Sequence, residues 1–220
     1  MRALAFATTS LLALASASTL AHAGESNEVG YLGFARAMRA GSADAITGDM
    51  LAGVSLEYGR ALDLGVGDRI QIWLDAQADF GTASGTMFGT MDTKLASATL
   101  LGGVRVRYLP LSLVAVGIRV DVGAHHESLD LDAGSTALSD GAWGAAAMAA
   151  ASLDVYAYRS KRFAIGLRFE VAYTKTQAVE LTMHRDGGDD GTIKLPVMDT
   201  SFGHLDTSGP SFVGGLIGQF

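Results

Sequence analysis

The chain has 220 residues, 16 basic and 23 acidic for a net charge of −7, with no cysteine, 28 glycines and 3 prolines. The absence of cysteine excludes a disulfide scaffold, a thiolate zinc site and a cysteine nucleophile. The acidic balance argues against a nucleic-acid binder, which needs a basic patch to displace counterions from phosphate. Hydrophobic residues make up 49% of the chain, yet downstream of its first segment no apolar run reaches the length of a membrane-spanning helix. The apolar residues are dispersed, so their spacing carries the information.

Residues 1–23 read as a secretory signal: Arg2 supplies the positive start, Ala3 to Leu20 is uncharged, and Ala21-His22-Ala23 is a small-x-small cleavage pattern. Cleavage between Ala23 and Gly24 leaves a mature domain over 24–220. That domain alternates. Val29 to Arg39 reads as a first strand whose facing is ambiguous, because Arg36 shares a face with Leu32 and Phe34. In Met50 to Tyr58 the even positions are apolar, and Ser55 and Glu57 point the other way. In Arg69 to Phe80, Ile70, Ile72, Leu74, Ala76, Ala78 and Phe80 oppose Arg69, Gln71, Trp73, Asp75, Gln77 and Asp79. Period two is a strand signal, since successive side chains leave a pleat on opposite faces.

The pattern returns in Ala96 to Tyr108, where Arg105 and Arg107 lie on the polar face, and in Val114 to Ala124, with Arg119 and Asp121. Trp143 to Tyr158 is alanine-rich, and alanine favours helix, but its end alternates around Asp154. Phe163 to Tyr173 sets Arg168 and Glu170 against six apolar residues, and Ser211 to Phe220 closes the chain. The eight segments are joined alternately by short links (59–68, 109–112, 159–162) and by longer polar ones (40–49, 81–95, 125–141, 175–210). This is the arrangement of an up-and-down antiparallel transmembrane β-barrel, all-β, with about eight strands. An even count places both mature termini on one side, the periplasmic one.

Three features favour a membrane barrel over a soluble one. The polar face mixes opposite charges with glycines: Glu57, Arg69, Asp75, Asp79, Arg105, Arg107, Arg119, Asp121, Asp154, Arg168 and Glu170 read as a structural charge network filling a narrow lumen. Aromatics fall at strand ends, Tyr58, Tyr108, Phe163 and Phe220 toward the short links, and Phe80, Trp143, Tyr173 and Phe212 toward the long ones, as two interfacial girdles would. The last strand carries Phe212 and Leu216 and ends on Phe220. In this the chain resembles the small outer-membrane β-barrel class, nearest the eight-stranded OmpA/OmpX type. The resemblance implies that Phe212, Leu216 and Phe220 form a signal read by the barrel-assembly machinery, and that the partners are outer-membrane lipid and lipopolysaccharide.

The expected function is non-enzymatic: a closed barrel in the bacterial outer membrane that supports envelope integrity or displays loops for binding. A small-solute channel is one alternative. Another is a lipid A-modifying acyl hydrolase, because His126 and Ser128 superficially look like a histidine activating a serine. No cofactor and no metal are expected. His125 and His126 point to opposite faces of a strand, which disfavours joint ligation, and the Asp186–Asp190 stretch lacks the spacing of a calcium loop. The last long link reads as two short alternating runs, Val179–His184 and Thr192–Val197, about a glycine-rich turn, forming a hairpin above the membrane.

Overall fold

The computed structural model describes residues 26–38, 47–48, 50–62, 64, 69–87, 91–132, 137–160, 162–184 and 199–220. The signal segment with Ala23 and Gly24, the 186–190 stretch and the 192–197 run lie outside the described residues. The regular elements among the described residues are strands: β1 (Asn27–Ala37), β2 (Met50–Leu62), β3 (Ile70–Met87), β4 (Met91–Leu111), β5 (Val114–Asp132), β6 (Ala137–Arg159), β7 (Ala164–Thr176), β8 (Val179–His184), β9 (Asp199–Leu205) and β10 (Gly209–Gln219). Eight of them close a ring in the order β1-β10-β7-β6-β5-β4-β3-β2, and β8 and β9 pair as a separate hairpin. The seam is antiparallel and continuous from Glu28 opposite Gln219 to Arg36 opposite Ser211. The fold is therefore an eight-stranded, up-and-down antiparallel barrel with one hairpin inserted between β7 and β10.

The two faces of each strand explain why the ring forms. Outward-pointing residues in the half nearer the short links are apolar and exposed, such as Ile118, Val120, Phe169 and Leu216. The inward ones at the same level are polar or charged and buried. This is inside-out for water and correct for a bilayer, where closure also removes every unpaired strand edge. The outward apolar band runs from Ile70 to Phe80 on β3 and from Tyr108 back to Ala98 on β4, eleven residues on each. A tilted transmembrane strand needs about 9–11 residues. The chain thus forms a transmembrane β-barrel.

The strands do not stop at this band. β3, β4, β5 and β6 have 18, 21, 19 and 23 residues. Segments 81–95 and 125–141, expected as loops, are for the most part strand, and β3 pairs with β4 as far as Met87 opposite Met91. The reason is an inversion of polarity with no change of period. On β5, outward Val116 to Val122 give way to Ser128, Asp130 and Asp132, while inward Arg119 and Asp121 give way to Leu129 and Leu131. Beyond the band the outside is wet, so the sheet there obeys the rule of a soluble sheet and turns its apolar face inward.

The hairpin fills that inward face. Val179 and Leu181 of β8 and Leu205 of β9 are buried in one core with Leu95, Leu129 and Leu131. Gln177 N–H donates to the Ala145 carbonyl at 2.8 Å, and Thr182 N–H donates to Asp140 Oδ2 at 2.6 Å, which ties the start of the hairpin to β6. The first arm of the hairpin is the expected Val179–His184 run; its partner is Asp199–Leu205. An apolar cap of extended strands and hairpin therefore lies over the loop end of the barrel.

Candidate functional site

The lumen toward the short links is filled by an ion-paired tier. Arg168 of β7 donates to Glu28 Oε1 at 2.6 Å, to Glu57 Oε2 at 2.6 Å and to Asp154 Oδ1 at 2.7 Å. Arg105 lies 3.0 Å from Glu28, 3.2 Å from Glu57 and 2.9 Å from Asp75. Arg107 reaches Glu28 at 2.9 Å and Asp154 at 3.2 Å. Arg119 reaches Glu57 at 2.8 Å, Glu170 at 2.6 Å and Asp121 at 3.4 Å. Every one of these side chains is buried. The wall makes room for them. At Gly103, flanked in register by Asp75 and Asp121, a Cβ would meet the Val120 carbonyl and the Asp121 carboxylate.

Charges in so dry a space persist only if each is paired. Asp75 and Asp121 are held by their ion pairs without a hydrogen bond, and neighbours add hydrogen bonds to others of the set. Gln219 Nε2 donates to Glu28 Oε2 at 2.9 Å and to the Tyr156 hydroxyl at 2.8 Å, and Arg107 Nη1 donates to the same hydroxyl at 3.1 Å. The Arg107 guanidinium also stacks 4.6 Å over the ring of Trp73, which points inward and is fully buried.

Of the residues expected in the lumen, the tier brings together Glu57, Asp75, Arg105, Arg107, Arg119, Asp121, Asp154, Arg168 and Glu170. Asp79 lies higher on β3, accepting a hydrogen bond from Gln77 at 2.6 Å and facing Arg36 at 3.8 Å. Arg69 is a correction: it is exposed in the link before β3, outside the lumen. Alternation extrapolated backward from Ile70 put it on the polar face, but there the strand has ended.

Sequence reasoning missed Glu28 and Arg36. Glu28 follows closely on the expected cleavage point, ahead of any clear alternation. Arg36 shares the inward face of β1 with Leu32 and Phe34, and all three are buried. The facing is mixed because β1 passes from the charged tier into the apolar region beneath the cap.

A second polar cluster fastens the cap to the barrel. Glu127 Oε1 accepts from Thr207 Oγ1 at 2.8 Å and from Ser97 Oγ at 3.1 Å, and contacts His125 Nδ1 at 3.1 Å. The other nitrogen of His125 meets the Gln177 carbonyl at 2.9 Å. At the rim, Asp206 accepts from the Ser208 hydroxyl, from the Ser208 N–H at 2.9 Å, from Thr176 Oγ1 at 3.1 Å and from Lys175 Nζ at 3.0 Å. Partial burial pushes the Asp206 carboxyl up, but the Ser208 hydrogen bonds and Lys175 outweigh it and hold the group down at about 2.

No family model matches the chain, and no curated protein matches its sequence. Solved structures similar to it are barrels. One is Ail, the attachment invasion locus protein of Yersinia pestis, at 11% identity over 89% of this chain and 97% of that one, with a TM-score of 0.47. Another is Neisserial surface protein A, at 8% identity over 89% and 96%, with a TM-score of 0.43. A third is the outer membrane protein OprG of Pseudomonas aeruginosa, at 13% identity over 89% and 95%, with a TM-score of 0.43. The barrel of this chain rests on its own strand register and on the polarity of its faces.

His126 and Ser128 both point outward on β5, just beyond the apolar band. The His126 ring packs against Trp143 with centroids 4.9 Å apart. Among the described residues no carboxylate bonds to that ring to orient it as a base would need. Asp140, close by on β6, spends its two oxygens on the N–H groups of Gly141 and Thr182. Among the described residues no group of three or more histidine or carboxylate side chains is placed to hold a metal ion.

Proposed function

We propose that the protein is a non-enzymatic bacterial outer-membrane barrel with a side-chain-filled lumen. Its mature termini are periplasmic, and its long strands carry a sheet beyond the membrane as a surface for binding. The observation that carries this reading is the double closure of the inner space, by the ion-paired tier and by the apolar cap, inside a wall whose outside is apolar only over the height of a bilayer. Such a wall serves envelope integrity and presentation better than solute passage. Outer-membrane lipid and lipopolysaccharide would surround the band. The outward-facing Phe212, Leu216 and Phe220 of the closing strand are available for the assembly machinery to read.

A single cysteine tests the topology, since the natural chain has none. Ser84→Cys at the outer face of the projecting sheet should react with a membrane-impermeant maleimide in intact cells. Labelling only after permeabilisation would reverse the orientation. Mass spectrometry of lipid A from cells with and without the gene tests the catalytic alternative. An acyl change abolished by Ser128→Ala would overturn the non-enzymatic reading.

A further inference from the structure

The short-link end of the barrel carries a feature that the lumen and the cap leave unused. Tyr158-Arg159-Ser160 and Arg162-Phe163 form the rim between β6 and β7; Lys161, between them in the sequence, lies outside the described residues. The register of β6 against β7 shifts between Tyr156 and Tyr158. This bulge makes two tyrosines of the same parity face opposite ways: Tyr156 is buried in the lumen and Tyr158 is 56% exposed on the outside. Tyr158 stands beside Phe163, with ring centroids 6.5 Å apart, at the edge of the apolar band.

The turn is built, not merely a charged tip. Ser160 N–H donates to the Phe163 carbonyl at 2.8 Å, its hydroxyl donates to the same carbonyl at 2.9 Å, and the Phe163 N–H donates back to the Ser160 oxygen at 3.1 Å. Arg159 is held by the Ser112 carbonyl at 3.3 Å and by the Tyr156 ring at 5.0 Å. Arg162 is exposed, and among the described residues no carboxylate pairs with it. The turn thus carries two guanidinium groups, Arg159 held over the lumen-facing ring of Tyr156 and Arg162 exposed, each next in sequence to one of the two outward aromatics. The opposite end of the barrel has the contrary sign, with Asp92, Asp130 and Asp132 exposed around Lys94.

We infer that this turn is a binding site for the phosphodiester of an anionic phospholipid in the leaflet that faces the short links. Guanidinium presents paired donors to phosphate oxygens, and the aromatic pair fixes the depth at which they are presented. A zwitterionic headgroup carries its own ammonium beside the phosphate and gains less from the same contact. This inference rests on the membrane-barrel reading above.

Electron paramagnetic resonance with spin-labelled lipids tests both at once. The whole barrel is reconstituted in zwitterionic vesicles containing labelled phosphatidylglycerol or labelled phosphatidylcholine. The expected result is a motionally restricted component for both lipids, enriched about threefold or more for phosphatidylglycerol at low salt. Enrichment should fall toward one in Arg159→Gln/Arg162→Gln, persist in Arg162→Lys, and be indifferent to added inorganic phosphate. A restricted component without selectivity, or selectivity unchanged in the double glutamine variant, overturns the site and leaves the barrel standing. Selectivity abolished by millimolar inorganic phosphate overturns the lipid as occupant. No restricted component for either lipid overturns the barrel and the site together. The component for labelled phosphatidylcholine reports in each variant that the barrel has folded.

Discussion

Arg168 touches carboxylates from three strands, Glu28 on β1, Glu57 on β2 and Asp154 on β6, and so ties the closing seam to the far wall. Arg168→Gln removes the charge while keeping a donor, and leaves three buried carboxylates short of a cation. Breaking a buried pair from one side costs about 3–5 kcal/mol. Urea unfolding of the barrel in lipid vesicles should show a loss of that order. A loss below about 1 kcal/mol would mean that water, not arginine, balances those charges. Asp206 belongs to a wetter setting. Its folded value, near 2 against an ordinary 3.8, means that the ionised group stabilises the rim above about pH 4 and that this contribution fades as pH falls toward 2. Protection factors across residues 203–209, taken against the intrinsic exchange rate at each pH, should fall over that window. Asp206→Asn should show the lower protection already at neutral pH and lose the dependence. Protection that falls on raising the pH from 4 to 7 would contradict the sign. Most of the charges in the tier could be read from the chain, because arginine and carboxylate recur on the face opposite valine and leucine. Glu28 could not, since nothing before Val29 alternates, and Arg69 could only be misread, since alternation does not announce where a strand ends.

At the scale of the element, the four long strands set the character of the molecule. β4 pairs with β5 from Asp92 opposite Asp132 down to Leu111 opposite Val114, spanning both the band and the cap. Within one strand the apolar set changes face, and only the surrounding medium explains it. The signal lay in the chain as Ser128-Leu129-Asp130-Leu131-Asp132, a clean alternation out of phase with Val116 to Val122. It is easily taken for a polar loop, because the membrane rule fixes attention on one parity. The cap has a measurable consequence. Leu131 is buried between β5 and the hairpin. Leu131→Ala should cost about 2–5 kcal/mol, charged to the cap. Limited proteolysis should then cut between β8 and β9 sooner, while the band strands keep their protection. Equal loosening of β7 and β10 would show that cap and barrel melt as one unit.

For the whole molecule the two closures act in series, and a path across the membrane must open both. The apolar cap seals by packing and the tier by charge pairing. A variant that opens the cap alone, such as Leu129→Asp with Leu181→Asp, still meets Arg105, Arg107, Arg119 and Arg168 locked to their carboxylates. A variant that thins the tier alone, such as Arg105→Ala with Asp75→Ala, keeps the apolar cap intact. Removing one cation with one carboxylate keeps the charge balance of the tier, and Glu28 and Glu57 keep Arg107, Arg119 and Arg168 as partners, so the barrel should survive the change. Planar-bilayer recordings on refolded protein should therefore be silent for the parent and for each double variant. Discrete steps are expected only when the two sets of substitutions are combined. Conductance from the cap variant alone would show that the charged tier is wet and passable, and would move the molecule from a closed wall to a gated pore. Steady conductance from the parent would remove the closed lumen altogether and leave the barrel as a small-solute channel.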